Sequence, residues 1–205
     1  MNVMNWFKDD PLADDFVREL KATVPWLLAA AVAVAGYYGV KNYRAARKAA
    51  ASEVFASAYT AEELEDAVAK YGSSDAGGAL KLRLAKKYFD SGRYQEAFDV
   101  YEALSGVKAP DGFADIPEVG KAQCLEALGR HADALAAYES FTETNPESYL
   151  ALSARLGAAR SLALSGEKEK ALERIAEIKE SVKGDSSAEA RVDAVEDCIR
   201  RYTAK

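Results

Sequence analysis

Three glycines, Gly92, Gly129 and Gly166, stand 37 residues apart each time. Ala97, Ala134 and Ala171 keep the same interval, and so do Tyr101, Tyr138 and Ile175. Small residues at matching places in successive helical segments let helices approach closely, so the recurrence predicts stacked helix pairs in place of one globular core. Most of the chain therefore reads as a short helical solenoid.

Written out, the three units are LRLAKKYFDSGRYQEAFDVYEAL, GKAQCLEALGRHADALAAYESF and LGAARSLALSGEKEKALERIAEI. Each runs as an apolar helix, a glycine with a polar pair, and a second helix with alanine on its inner face. The pattern resembles the tetratricopeptide repeat, whose period is about 34 residues. The motif's first small residue falls on Ala85, Ala122 and Ala159, its turn glycine on Gly92, Gly129 and Gly166, and its closing proline survives once as Pro146. The family's large aromatic near the start of the first helix is replaced by Lys81, Glu118 and Arg155, so the repeats are divergent.

Composition agrees with an all-α chain. Alanine, the strongest helix former, is abundant, and only five prolines occur in 205 residues. The net charge of -6, with both signs interspersed, lacks the basic stripe that a phosphate backbone requires, so nucleic acid is not an expected partner. Cys124 and Cys198 lack metal-type spacing and read as small buried hydrophobes, with a disulfide between them open only in an oxidising compartment. His131 is the only histidine, and it occupies a slot held by Tyr94 and Lys168 in the other units, which suits a surface or packing site better than a catalytic base. No phosphate loop, paired-histidine zinc motif or nucleophile with a nearby base is present. The expectation is a non-enzyme without cofactor, metal or small-molecule substrate.

From Ala22 to Val40, 19 residues carry no charge, bounded by Lys21 and Lys41. As a helix they span about 28 Å, close to the ~30 Å hydrocarbon core of a bilayer. Trp26 near one end and Tyr37, Tyr38 and Tyr43 near the other sit like interfacial aromatic belts. Pro25 suits a first helical turn. Lys8, Arg18 and Lys21 precede the segment and Lys41, Arg44, Arg47 and Lys48 follow it, so the positive-inside count is nearly balanced and leans slightly toward a cytoplasmic C-terminal side. Ahead of it, Asp10-Pro11 reads as a cap and first turn, and Leu12, Phe16 and Leu20 form a stripe suited either to an amphipathic interfacial helix or to a solvated tail.

These signals divide the chain into a tail with a short amphipathic helix (1–21), a transmembrane helix (22–40), a helical stalk with a degenerate helix pair (41–77), three repeats (78–183) and a capping helix (184–205). Thr60 and Glu63 have capping-box spacing for a helix through Tyr71. Glu62, Glu63, Glu65 and Asp66 read as a solvated face. The stretch KAPDGFADIP, around Asp111, is a candidate binding loop or a plain connector. Gly184-Asp185-Ser186 restarts a helix whose Val192, Val195, Ile199 and Tyr202 share one face.

The resemblance implies a binding groove on the first helices. Its positions carry across to Leu82, Val119 and Leu156 in one row, Lys86, Gln123 and Arg160 in the next, and Phe89, Glu126 and Ala163 a turn further. Such a groove would take an extended or helical protein segment with apolar side chains and some negative charge. Packing between helices is the other reading of the apolar row. In layout and repeat text the chain resembles the bacterial family of ancillary Sec-translocon subunits, which implies an inner-membrane anchor, periplasmic repeats, and service as a scaffold or chaperone-like adaptor between translocon and chaperones. A structural subunit of an envelope complex, and a soluble repeat adaptor docked through its N-terminal helix, are the alternatives.

Overall fold

The computed structural model describes residues 11–74, 77–105 and 113–202, without the side chains of 11–17. All regular structure among them is helical. Two units are distinguished, Met1–Ala50 and Ala51–Lys205.

The first unit is occupied by α1, Pro11–Ser57, whose final residues belong to the second. Its 40-residue stretch Arg18–Ser57 has a window of mean hydropathy 1.5 with none of it buried, and it is long and apolar enough to cross a membrane. Trp26 is 78% exposed and Val32 72%. Pro25 is not in a first turn: α1 begins at Pro11, which leaves Pro25 inside the helix, where the backbone bond back to the Lys21 carbonyl is lost. The Thr23 hydroxyl donates to the Glu19 carbonyl at 2.9 Å in the turn just before it. Leu20 is exposed, whereas Leu12 and Phe16 of the proposed stripe lie outside the described side chains, as does the Asp10 cap.

In the second unit α2 (Ala61–Tyr71) follows, opened by a complete capping box: Glu63 N–H donates to the Thr60 hydroxyl, and the Glu63 carboxylate accepts from the Thr60 N–H. Three helix pairs come next, α3 (Gly77–Asp90) with α4 (Tyr94–Glu102), α5 (Ile116–Ala127) with α6 (His131–Thr144), and α7 (Ala151–Leu164) with α8 (Lys168–Ser181). Helix α9 (Ser186–Arg201) is the last among the described residues, its first N–H groups capped by the Asp185 carboxylate.

Within each pair the turn is the same. Gly92, Gly129 and Gly166 have φ of +78°, +76° and +90°. The N–H after each reaches back across the helix end, Arg93 to Tyr88, Arg130 to Leu125 and Glu167 to Leu162, at 2.9 Å in every case. This is the Schellman closure, which satisfies the last carbonyls and requires a left-handed residue that glycine adopts without a Cβ penalty.

From α2 onward consecutive helices pack against one another, and the first helices α3, α5, α7 and α9 also touch in series, whereas the main partners of α4, α6 and α8 are first helices. Fully buried alanines permit these approaches: Ala85, Ala122 and Ala159 on first helices, Ala97, Ala134 and Ala171 on second helices, all at 0% exposure. Each second-helix aromatic then lies on a glycine of the following first helix. A Cβ placed on Gly120 would meet the Tyr101 ring at 2.7 Å, and one on Gly157 would meet the Tyr138 ring at 2.4 Å. These two glycines are also 37 residues apart, and in the next unit the same two positions hold Ile175 and Ala194.

Gly157→Ala is expected to destabilise the second unit by about 1–3 kcal/mol through overpacking. Gly129→Ala, where nothing lies within 4 Å, is expected to cost about 1–2 kcal/mol through its backbone angle alone. Asparagine tells the two apart, since thermal unfolding of the Gly129→Asn chain should recover part of the loss whereas Gly157→Asn should be worse than Gly157→Ala.

Candidate functional site

First helices from three successive pairs face a concavity of about 590 Å³. Lys86 and Phe89 come from α3, Gln123, Glu126 and Ala127 from α5, and Arg160 and Leu164 from α7; Tyr101 and His131 complete the wall. Five of the nine groove positions expected from the sequence meet here, Lys86, Phe89, Gln123, Glu126 and Arg160, while Ala163 is buried in the core. The expected apolar row does not meet here. Val119 and Leu156 are 3% and 4% exposed and pack in separate core clusters, and Leu82 is half-buried against a third, because this row faces the neighbouring helices and not solvent.

The floor of the concavity is an ion pair across the α5–α7 contact. Arg160 donates Nε–H to Glu126 Oε1 at 2.9 Å and Nη2–H to Oε2 at 3.1 Å, and the Tyr138 hydroxyl donates to Oε2 at 3.2 Å. The side chains are 32% and 16% exposed, so this planar fork is partly desolvated and rigid. Burial first, and the Glu126 carboxylate second, raise the Tyr138 pKa, so its phenol remains a donor. Lys86 extends at the rim, with its partner Asp90 one turn along α3. Phe89 packs edge-on against Tyr94, centroids 5.3 Å apart. His131 sits at the first position of α6, half-buried, with Nδ1 sealed from solvent and without a hydrogen-bond partner, so this residue belongs to the wall and is no freely solvated side chain. A second hollow of about 400 Å³ lies beside Phe98, Leu125 and Phe141, with Glu118, Lys121 and Asn145 among its polar lining.

Elsewhere Glu65 departs from the expected solvated face. It accepts from the Tyr88 hydroxyl at 2.7 Å and from Arg93 at 3.3 Å, tying α2 to the first pair. The loop around Asp111 lies outside the described residues. Among the described residues no group of three or more His, Cys, Asp or Glu side chains is placed to hold a metal ion. Both cysteines are free, Cys124 buried and Cys198 exposed.

Glu126→Gln preserves shape but leaves the Arg160 guanidinium without its carboxylate, and denaturant titration should show a loss of about 1–3 kcal/mol. Burial pushes the Cys124 thiol up to about 12, so at neutral pH its thiolate fraction is about a thousandfold or more below that of a free cysteine. N-ethylmaleimide should accordingly modify Cys198 in the folded chain and reach Cys124 only on unfolding, read by mass spectrometry.

Compared with protein-family models, curated proteins and solved structures, the chain has no match.

Proposed function

We propose that this protein is a membrane-tethered protein-binding scaffold, in which α1 crosses a bilayer once and α3 to α8 form a tetratricopeptide-like solenoid closed by α9. The observation that carries the reading is that Lys86, Gln123 and Arg160, one position repeated at 37-residue intervals, converge on a single concavity. A surface built from the same position of three units matches the repeat of an extended or helical polypeptide better than it matches a compact small molecule. The serial contact of first helices and the shared glycine turns support the solenoid reading, and the exposed apolar surface of α1 supports the span.

The chemistry of the wall selects the partner. Phe89, Tyr101 and Leu164 offer apolar area, Arg160 is engaged by Glu126, and Lys86 is the cation at the rim, so the preferred segment carries large apolar side chains and an acidic residue toward α3. Tethering raises the local concentration of such a module near other membrane proteins and makes weak binding useful. In its most specific form the proposal is an adaptor at the Sec translocon of a bacterial inner membrane, repeats on the periplasmic side, receiving exported proteins.

A photocrosslinking amino acid at Gln123, which is exposed in the concavity, tests this in intact cells that also carry a compartment reporter after Lys205. Exported polypeptides should be captured. Lys86→Glu should weaken capture by on the order of 1 kcal/mol, about fivefold in affinity. Crosslinks to one fixed partner in constant stoichiometry would instead identify a structural subunit, and unchanged capture by Lys86→Glu would remove the groove. Arg160→Glu is unsuitable, because it sets two carboxylates against each other at Glu126.

A further inference from the structure

The helix beyond the apolar run has a polarity of its own. Lys41, Arg44, Arg47 and Lys48 fall within an arc of about 120° on α1 at 3.6 residues per turn. Lys41, Arg44 and Lys48 are exposed, and the Arg47 guanidinium lies 6.0 Å from the Tyr43 ring centroid. No aspartate or glutamate occurs from Ala22 to Ser52, so residues 41–52 carry +4, whereas residues 1–21 carry -2. Counting cations alone leaves the two flanks of the apolar run nearly even; counting acids makes them opposite.

Depth along the helix is the second observation. At 1.5 Å per residue Lys41 lies about 1.5 Å past Val40, Arg44 about 6 Å and Lys48 about 12 Å. The headgroup layer beyond each hydrocarbon boundary is about 5–8 Å thick. Lys41 and Arg44 are therefore at phosphate depth, and the flexible stems of Arg47 and Lys48 can reach back to it. Tyr37, on the same arc, packs edge-on with Tyr38 at 5.5 Å between centroids, as aromatic side chains do at that boundary.

We propose that the Lys41–Arg44–Arg47–Lys48 face binds the phosphates of anionic phospholipids in the leaflet that meets the C-terminal end of the apolar run. The proposal rests on α1 spanning the bilayer. Charge complementarity selects the occupant: four cations on one face, without an acid within the preceding segment or the next turn, match a row of headgroup phosphates, while zwitterionic headgroups offer no net charge to match. The contact sets the depth and rotation of α1.

Full-length protein is reconstituted in phosphatidylcholine vesicles with trace spin-labelled phosphatidylglycerol or spin-labelled phosphatidylcholine, and electron paramagnetic resonance measures the motionally restricted fraction of each. The wild-type chain should prefer phosphatidylglycerol, and the preference should fall by up to about fivefold per cation removed in Lys41→Gln and Arg44→Gln, the factor corresponding to ~1 kcal/mol per basic residue at an anionic surface. High salt should erase it without any substitution. Equal restriction of both lipids in the wild-type chain, or a preference that survives salt and both substitutions, overturns the headgroup site while leaving the span intact. Absence of restricted lipid of either kind overturns the span, and the site with it.

Discussion

The seating of a second-helix aromatic ring on a glycine of the next first helix is the constraint on which the repeat unit depends. Tyr138 is 1% exposed and its ring occupies the space that a Cβ on Gly157 would need. Such a fit brings α6 and α7 within backbone contact distance and leaves no slack for an alternative register, since interiors pack at crystal-like density. Tyr101 on Gly120 repeats the arrangement one unit earlier. In the third pair the ring is replaced by Ile175, which packs in one cluster with Val192 and Ile199 of α9, while Ala194, 37 residues beyond Gly157, is exposed, so the ring-on-glycine seat is not repeated there.

Polar ties then lock what packing has positioned. Glu65 with Arg93, Glu126 with Arg160, and Glu139 with Arg174 each link residues about one unit apart. Most are exposed enough to be worth little individually. The Glu126–Arg160 fork differs because it is partly desolvated and shared with Tyr138, whose ring also fills the Gly157 site. One tyrosine thus serves the stack and, from beneath, holds the Glu126 carboxylate in the floor of the concavity, which ties the candidate site to the scaffold. The short-range pairs beside the turns tolerate more: Arg93–Glu96 and Arg130–Asp133 become Glu167–Lys170, with the signs exchanged and the geometry retained.

The two units differ in what they expose. The repeat unit buries alanine, leucine and tyrosine behind charged faces, whereas α1 exposes tryptophan, leucine and valine all round. An apolar helix surface on this scale is stable only against lipid or another protein. A proline inside a helix, such as Pro25 in α1, is better tolerated in membrane helices than in soluble ones, because neighbouring groups re-satisfy the freed carbonyl.

What the sequence by itself determined is whatever depends on local backbone chemistry: the left-handed glycine turns, the Thr60–Glu63 capping box, the restart at Asp185, the buried alanine columns and the 19-residue uncharged run. These are readable because each is set by the residue itself and a few neighbours. Only the tertiary structure decided which face of a helix meets solvent. Val119 and Leu156 share the helical period of Gln123 and Arg160, yet the first two pack inside and the second two line the concavity, since periodicity defines a stripe without naming what lies opposite it. The 34-residue gap between Glu126 and Arg160, and the use of Gly120 and Gly157 as seats for tyrosines, likewise exist only once helices are side by side. The glycine pair did leave a signal in its own 37-residue spacing, but its meaning required the ring that fills it.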